Sequence, residues 1–171
     1  MKPAFLLPLL LSMLPHDAAA QFSSAVITAG GRSLEYRTTA NSAIEAAPLL
    51  KDQTGFQDAK VSPDAKLMGW LAEYPNCCTS YAVPLELIVM DRHRRLHSFS
   101  GPQAIFGWCF ASDSKAVAFR QTALHGRSNE VFELRRVQDG KLLQRFVLVW
   151  SDPDDGSRRP QVPRWARCAV G

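Results

Sequence analysis

The sequence predicts an all-β protein, mainly antiparallel: two blade-like four-stranded units packed together with an N-terminal β-hairpin. Three observations carry this. The first is a near-repeat: Val61-Ser62-Pro63-Asp64-Ala65-Lys66-Leu67-Met68-Gly69-Trp70 is answered by Phe110-Ala111-Ser112-Asp113-Ser114-Lys115-Ala116-Val117-Ala118-Phe119. In both, an apolar residue leads into an Asp-centred turn, a Lys follows two residues later, and an apolar run carries a large aromatic; self-similarity at such a period marks stacked β units. The second is a succession of short apolar runs separated by polar turns from Gly55 onward. The third is that no long helical period interrupts them.

Taken in order, residues 1–20 read as a signal peptide. Met1-Lys2 is a short positive start, residues 4–14 are apolar except Pro8 and Ser12, and Ala18-Ala19-Ala20 offers a cleavage site after Ala20. The apolar run is too short to span a bilayer, so the expected location is secreted or periplasmic. Residues 21–171 are expected to form a single β-rich domain. It divides into an N-terminal hairpin and linker (21–54), a first repeat (55–101), a second repeat (102–150) and an irregular tail (151–171).

Within the first part, strands over 25–28 and 33–37 flank Ala29-Gly30-Gly31-Arg32, whose glycines accept a tight hairpin. A short helix is expected near 40–47, opened by Asn41 or Ser42 as a cap and stopped by Pro48. The first repeat supplies strands over 56–61, 66–74, 85–90 and 96–99; the second supplies 105–110, 116–121, 130–137 and 142–150. The copies differ in the loop between their second and third strands, residues 75–83 against 122–128.

Ser62-Pro63-Asp64-Ala65-Lys66, followed by a strand with a large aromatic, resembles the blade repeat of TolB-like β-propellers, whose turn is close to Ser-Pro-Asp-Gly-Lys. Ala65 stands where the turn glycine would be, and the second copy keeps only Asp113 and Lys115. The resemblance covers residues 55–150 and implies four antiparallel strands per unit, the Asp turn joining the first two. Two copies are too few for a closed propeller, so propeller functions do not transfer.

Export gives the cysteines an oxidising setting, and the four of them, Cys77, Cys78, Cys109 and Cys168, suggest two disulfides. Closing Cys77 onto Cys78 makes a strained ring, so Cys109 and Cys168 are each expected to bridge to one member of the adjacent pair. No Cys-x-x-Cys supports a zinc site, and neither a metal nor a cofactor is expected. The acidic turn Asp152-Pro153-Asp154-Asp155-Gly156-Ser157 lacks the spaced ligands of an EF-hand loop and reads as solvated.

Charge is unevenly placed. Residues 21–91 carry 5 basic and 8 acidic side chains, and residues 92–171 carry 14 and 7. An excess of that size favours an anionic surface or polysaccharide by long-range attraction, or simply keeps exposed strand faces soluble. The densest basic cluster, Arg92, His93, Arg94 and Arg95, sits in a hairpin tip. Nucleic acid is not the expected partner, because stacking needs interleaved aromatics and only Phe99 is near.

No Gly-x-Ser-x-Gly elbow and no phosphate-binding Gly loop is present. Asp64, Lys66, Asp113 and Lys115 are assigned to turn structure, since each Asp stands where an Asx turn uses its side chain. Tyr74 and Tyr81 edge the Cys-Cys loop and are expected to be exposed for contact. The expected function is an exported non-catalytic binding or assembly module, contacting a protein through a sheet edge or the loop from Pro75 to Pro84. The alternative is an exported hydrolase using Asp91, His93, His97 or His125; a His ring meeting a carboxylate in a cleft is what would favour it.

Overall fold

The computed structural model describes residues 21–77, 80–126, 128–150 and 161–170, so the expected leader over 1–20 lies outside the described residues. Eleven strands are found among these: β1 (Phe22–Thr28), β2 (Ser33–Thr38), β3 (Glu45–Ala46), β4 (Gly55–Val61), β5 (Leu67–Tyr74), β6 (Val83–Asp91), β7 (Leu96–Ser100), β8 (Ala104–Phe110), β9 (Ala116–Thr122), β10 (Glu130–Arg136) and β11 (Leu142–Leu148). They form three antiparallel sheets, ordered β1-β2-β3, β4-β5-β6-β7 and β11-β10-β9-β8. The expected all-β architecture and the two four-stranded units are present, each a meander with its strands in chain order.

The sheets stack in layers, with β4–β7 in the middle. Successive strand residues face opposite ways, and in β5 and β6 both faces are buried. Met68, Trp70, Ala72, Ile88 and Met90 join Phe22, Leu34, Tyr36 and Phe56 in a core against the N-terminal sheet. Their neighbours Leu71, Leu87 and Val89 join Phe99, Ile105, Trp108, Val117, Phe119 and Val137 in a core against β8–β11. A strand apolar on both sides belongs in a central layer, which is why β5 and β6 read as continuous apolar runs rather than alternating ones.

Trp108 holds the second interface together. Its indole is fully buried and lies over Gly69 of β5, where an added Cβ would come within 2.8 Å of the ring and 2.9 Å of the Ile88 carbonyl. Its Nε1–H donates to the Asp58 carbonyl at 2.9 Å, at the point where β4 shifts register against β5. Lys60 Nζ sits 5.0 Å from the ring centre and donates to the Trp108 carbonyl.

Two expectations are corrected. No helix forms over 40–47. Asn41 Oδ1 accepts the Ala43 N–H at 3.0 Å as a local turn, not a helix cap. Glu45–Ala46 pairs with Glu35 and Tyr36 of β2, and the Tyr36 hydroxyl donates to Glu45 at 3.0 Å. Nucleating so short a helix is costly, and tertiary pairing wins. The tail is not irregular throughout either: Arg164–Ala169 forms a short 3-10 helix against the outer face of β8–β11, burying Ala166 and Ala169. Gly107 makes the approach possible, since a Cβ there would lie 2.3 Å from the Ala169 carbonyl oxygen.

Trp108→Ala is expected to cost about 3–5 kcal/mol, the range for emptying a buried aromatic site, read by denaturant unfolding. A change within 1 kcal/mol would show that the two four-stranded sheets do not depend on this seat.

Candidate functional site

The strands of the two four-stranded sheets end at two poles. One collects the Asp-centred turns and the other the loop from Pro75 to Pro84.

At the turn pole the repeat is structural down to its hydrogen bonds. Ser62 Oγ donates to Asp64 Oδ1 at 2.7 Å, and that oxygen also accepts the Lys66 N–H at 3.2 Å. In the second copy Asp113 Oδ1 accepts the Lys115 N–H at 3.0 Å. Ala65 and Ser114 both sit at φ 58°, the left-handed conformation that favours glycine. The turns also touch each other, since Ser114 Oγ accepts the Asp64 N–H at 3.3 Å. Asp64 is desolvated, which pushes its carboxyl up. The Ser62 hydroxyl, the Lys66 N–H and Ser114 outweigh this and hold it below the ordinary value.

The basic cluster at this pole is partly neutralised. Arg94 pairs with Glu45, Arg92 Nε donates to the His93 ring at 3.3 Å, and Arg95 Nε meets Asp91 Oδ2 at 2.8 Å. Asp91 Oδ1 accepts the backbone N–H groups of His93 and Arg95 at 2.7 and 3.0 Å. Burial pushes Asp91 up, but the Arg95 N–H, the Arg95 guanidinium and the His93 N–H hold its carboxyl down. Of the four residues singled out, Arg95 alone lines the cleft at this end.

The loop pole holds the larger cleft, about 790 Å³, between the ends of the two four-stranded sheets. Tyr74, Leu85 and Glu86 of the first sheet form one wall, Ser100 to Ala104 the floor, and Ala123 and Leu124 the other wall, with Leu50 and Lys51 alongside. The Tyr74 hydroxyl donates to Glu86 Oε2 at 2.6 Å. Burial, this hydrogen bond, and the charges of Glu86 and Asp52 all push the phenol up, so it stays a donor at any physiological pH. Glu73, one residue before Tyr74, is pushed up by burial. Tyr74 is thus half-buried in the cleft rather than exposed, whereas Tyr81 is 53% exposed. Its hydroxyl lies 3.4 Å from His125 Nε2, joining the loop to the second sheet. Behind Gly101 in the floor, the fully buried Gln121 has neither amide atom hydrogen-bonded among the described residues.

Sequence reading did not single out Glu86 or Lys51. Glu86 had a signal: it is the one charge in the apolar run from Val83 to Met90. Lys51 gives none, because nothing local reveals that the linker folds back over the cleft. Another open surface is β11, an outer strand of its sheet, with Leu142, Leu143 and Val147 exposed. The acidic turn over 152–157 lies outside the described residues.

The cysteine expectation is overturned. Cys109 is bonded to Cys168, 59 residues away, with Cα atoms 5.8 Å apart. Cys109 points to the outer face of its sheet near the turn pole, where the 3-10 helix brings Cys168. Cys77 follows the end of β5 at the opposite pole, out of reach of both. Cys78 lies outside the described residues.

Replacing Cys109 and Cys168 together by Ala should cost about 2–5 kcal/mol, read by thermal unfolding with and without reductant; reductant insensitivity of the parent would contradict the bond. Acid should also destabilise the fold. Asp64 and Asp91 lie below the ordinary 3.8 in the folded state. Their contribution is complete above that value and is lost as pH falls through the native one. Asp91→Asn should flatten the acid limb of a Tm-versus-pH curve; an unchanged limb would show that Asp91 is not a source of it. No protein-family model matches the chain, and no curated protein is similar to it.

Proposed function

We propose that this chain is an exported, non-catalytic binding module that docks an extended protein segment in the cleft at the loop pole. The observation that carries the reading is the Tyr74–Glu86 pair set among apolar walls. Tyr74 occupies one oxygen of the carboxylate, and the other has no partner among the described residues. Leu50, Leu85, Ala104 and Leu124 supply apolar contact around it. A few fixed polar groups within a mostly apolar concavity are what ligand recognition uses. With the charge of Asp52 also felt at Tyr74, the carboxylate favours a Lys or Arg flanked by apolar side chains. The bond between Cys109 and Cys168 accords with an oxidising compartment, and no helix among the described residues is long and apolar enough to cross a membrane.

Histidine geometry favours binding over the hydrolase alternative. The His93 ring meets Arg92 and the His125 ring meets Tyr81, Asp91 spends its oxygens on its own turn and on Arg95, and the His97 ring, in one cleft with Asp91 and Asp113, is hydrogen-bonded to neither among the described residues. A second contact mode is offered by β11, whose exposed Val147 lies one residue from the end of an outer strand open to pairing with a partner strand.

The test is a displayed library of random nine-residue peptides. The cleft reading expects enrichment of Arg or Lys beside Leu, Val or Ile, and a loss of about tenfold or more in affinity with Glu86→Gln. Binding that survives Glu86→Gln but is abolished by Val147→Pro would move the contact to the β11 edge. Absence of saturable binding would overturn both.

A further inference from the structure

The turn pole carries a second cleft, about 650 Å³, whose chemistry is the inverse of the first. It is lined by Arg95 and His97 from β7 and the turn before it, Lys115 from the turn before β9, and Arg136 from β10. Its two carboxylates each hold a turn, and of the two only Asp91 is also ion-paired among the described residues. Asp91 accepts two backbone N–H groups and the Arg95 guanidinium, and Asp113 accepts the Lys115 N–H. The basic side chains are less committed: among the described residues the Arg136 guanidinium meets the exposed Asp139 alone, at 2.9 Å. The Lys115 ammonium and the His97 ring have no hydrogen-bond or ion-pair partner among the described residues. Leu67, Ala116, Val137 and Leu143 give the same cleft an apolar side.

We infer that this cleft binds a soluble amphiphile bearing a sulfate or phosphate group, with the oxyanion between Lys115, His97 and Arg136 and the apolar body on Leu67 and Leu143. Charge-assisted hydrogen bonds from Lys115 and Arg136 orient an oxyanion, and the concave apolar wall adds contact that an inorganic ion cannot use. The assignment is independent of the loop-pole cleft. Lys115 thereby gains a role beyond its turn: its backbone N–H holds Asp113 while its side chain faces the cleft.

The test is calorimetric titration of the full chain with hexyl sulfate, inorganic sulfate and hexanol, none of which titrates near neutral pH. Hexyl sulfate should saturate at one per chain and bind about tenfold or more tightly than inorganic sulfate. Lys115→Gln should weaken it about tenfold, and Lys115→Arg should keep it, since either cation serves; Lys115 is exposed at the side chain, so both variants should fold, checked by an unchanged Tm. Equal affinity for hexyl and inorganic sulfate, or indifference to Lys115→Gln, would overturn the assignment. Binding to phosphatidylglycerol vesicles that hexyl sulfate fails to compete would also overturn it, in favour of a membrane surface.

Discussion

The molecule depends on one close approach, the Trp108 indole laid on the bare backbone of Gly69. Two twisted sheets bury a common core only if their side chains interdigitate. Here the largest side chain of one sheet is met by the smallest residue of the other. The indole N–H is satisfied by the Asp58 carbonyl, because β4 breaks register just there and turns that carbonyl toward the neighbouring sheet. Packing and polar satisfaction are therefore solved at the same point. Both clefts follow from it: fixing how the sheets meet in the middle fixes how they part at either end.

The strands were legible because period-two burial leaves a local trace, and the Asp turns were legible because their hydrogen bonds span only two or three residues. Ala65 and Ser114 hold the left-handed position without glycine, so the turn is specified by Asp side chains more than by backbone freedom. What failed was non-local. The segment around Glu45 has the composition of a helix start, but its partner is β2, which its own sequence does not reveal. The cysteines failed for the same reason: nothing near Cys168 says that the tail returns to the outside of β8.

The candidate sites were half legible. Tyr74, Tyr81 and Arg95 could be singled out from loop position and charge, yet the groups that give each cleft its chemistry come from several elements. Glu86 showed as a lone charge in an apolar strand. Lys115 was read for its turn alone, because its backbone role is visible locally and its side-chain surroundings are not. Glu86 and Lys51 meet at the loop pole, whereas Arg95, Lys115 and Arg136 share the turn pole with Asp91 and Asp113.

The 3-10 helix over Arg164–Ala169 has a consequence for the outermost sheet face. Stacked β layers present their last face as a template for another copy, and arrays of this kind need a terminal plug to stay finite. Ala166 and Ala169, pressed onto Gly107 and tethered by Cys168, occupy part of that face. The tether thus braces a cap over the last layer, holding Ala166 and Ala169 where a bare sheet face would otherwise meet solvent.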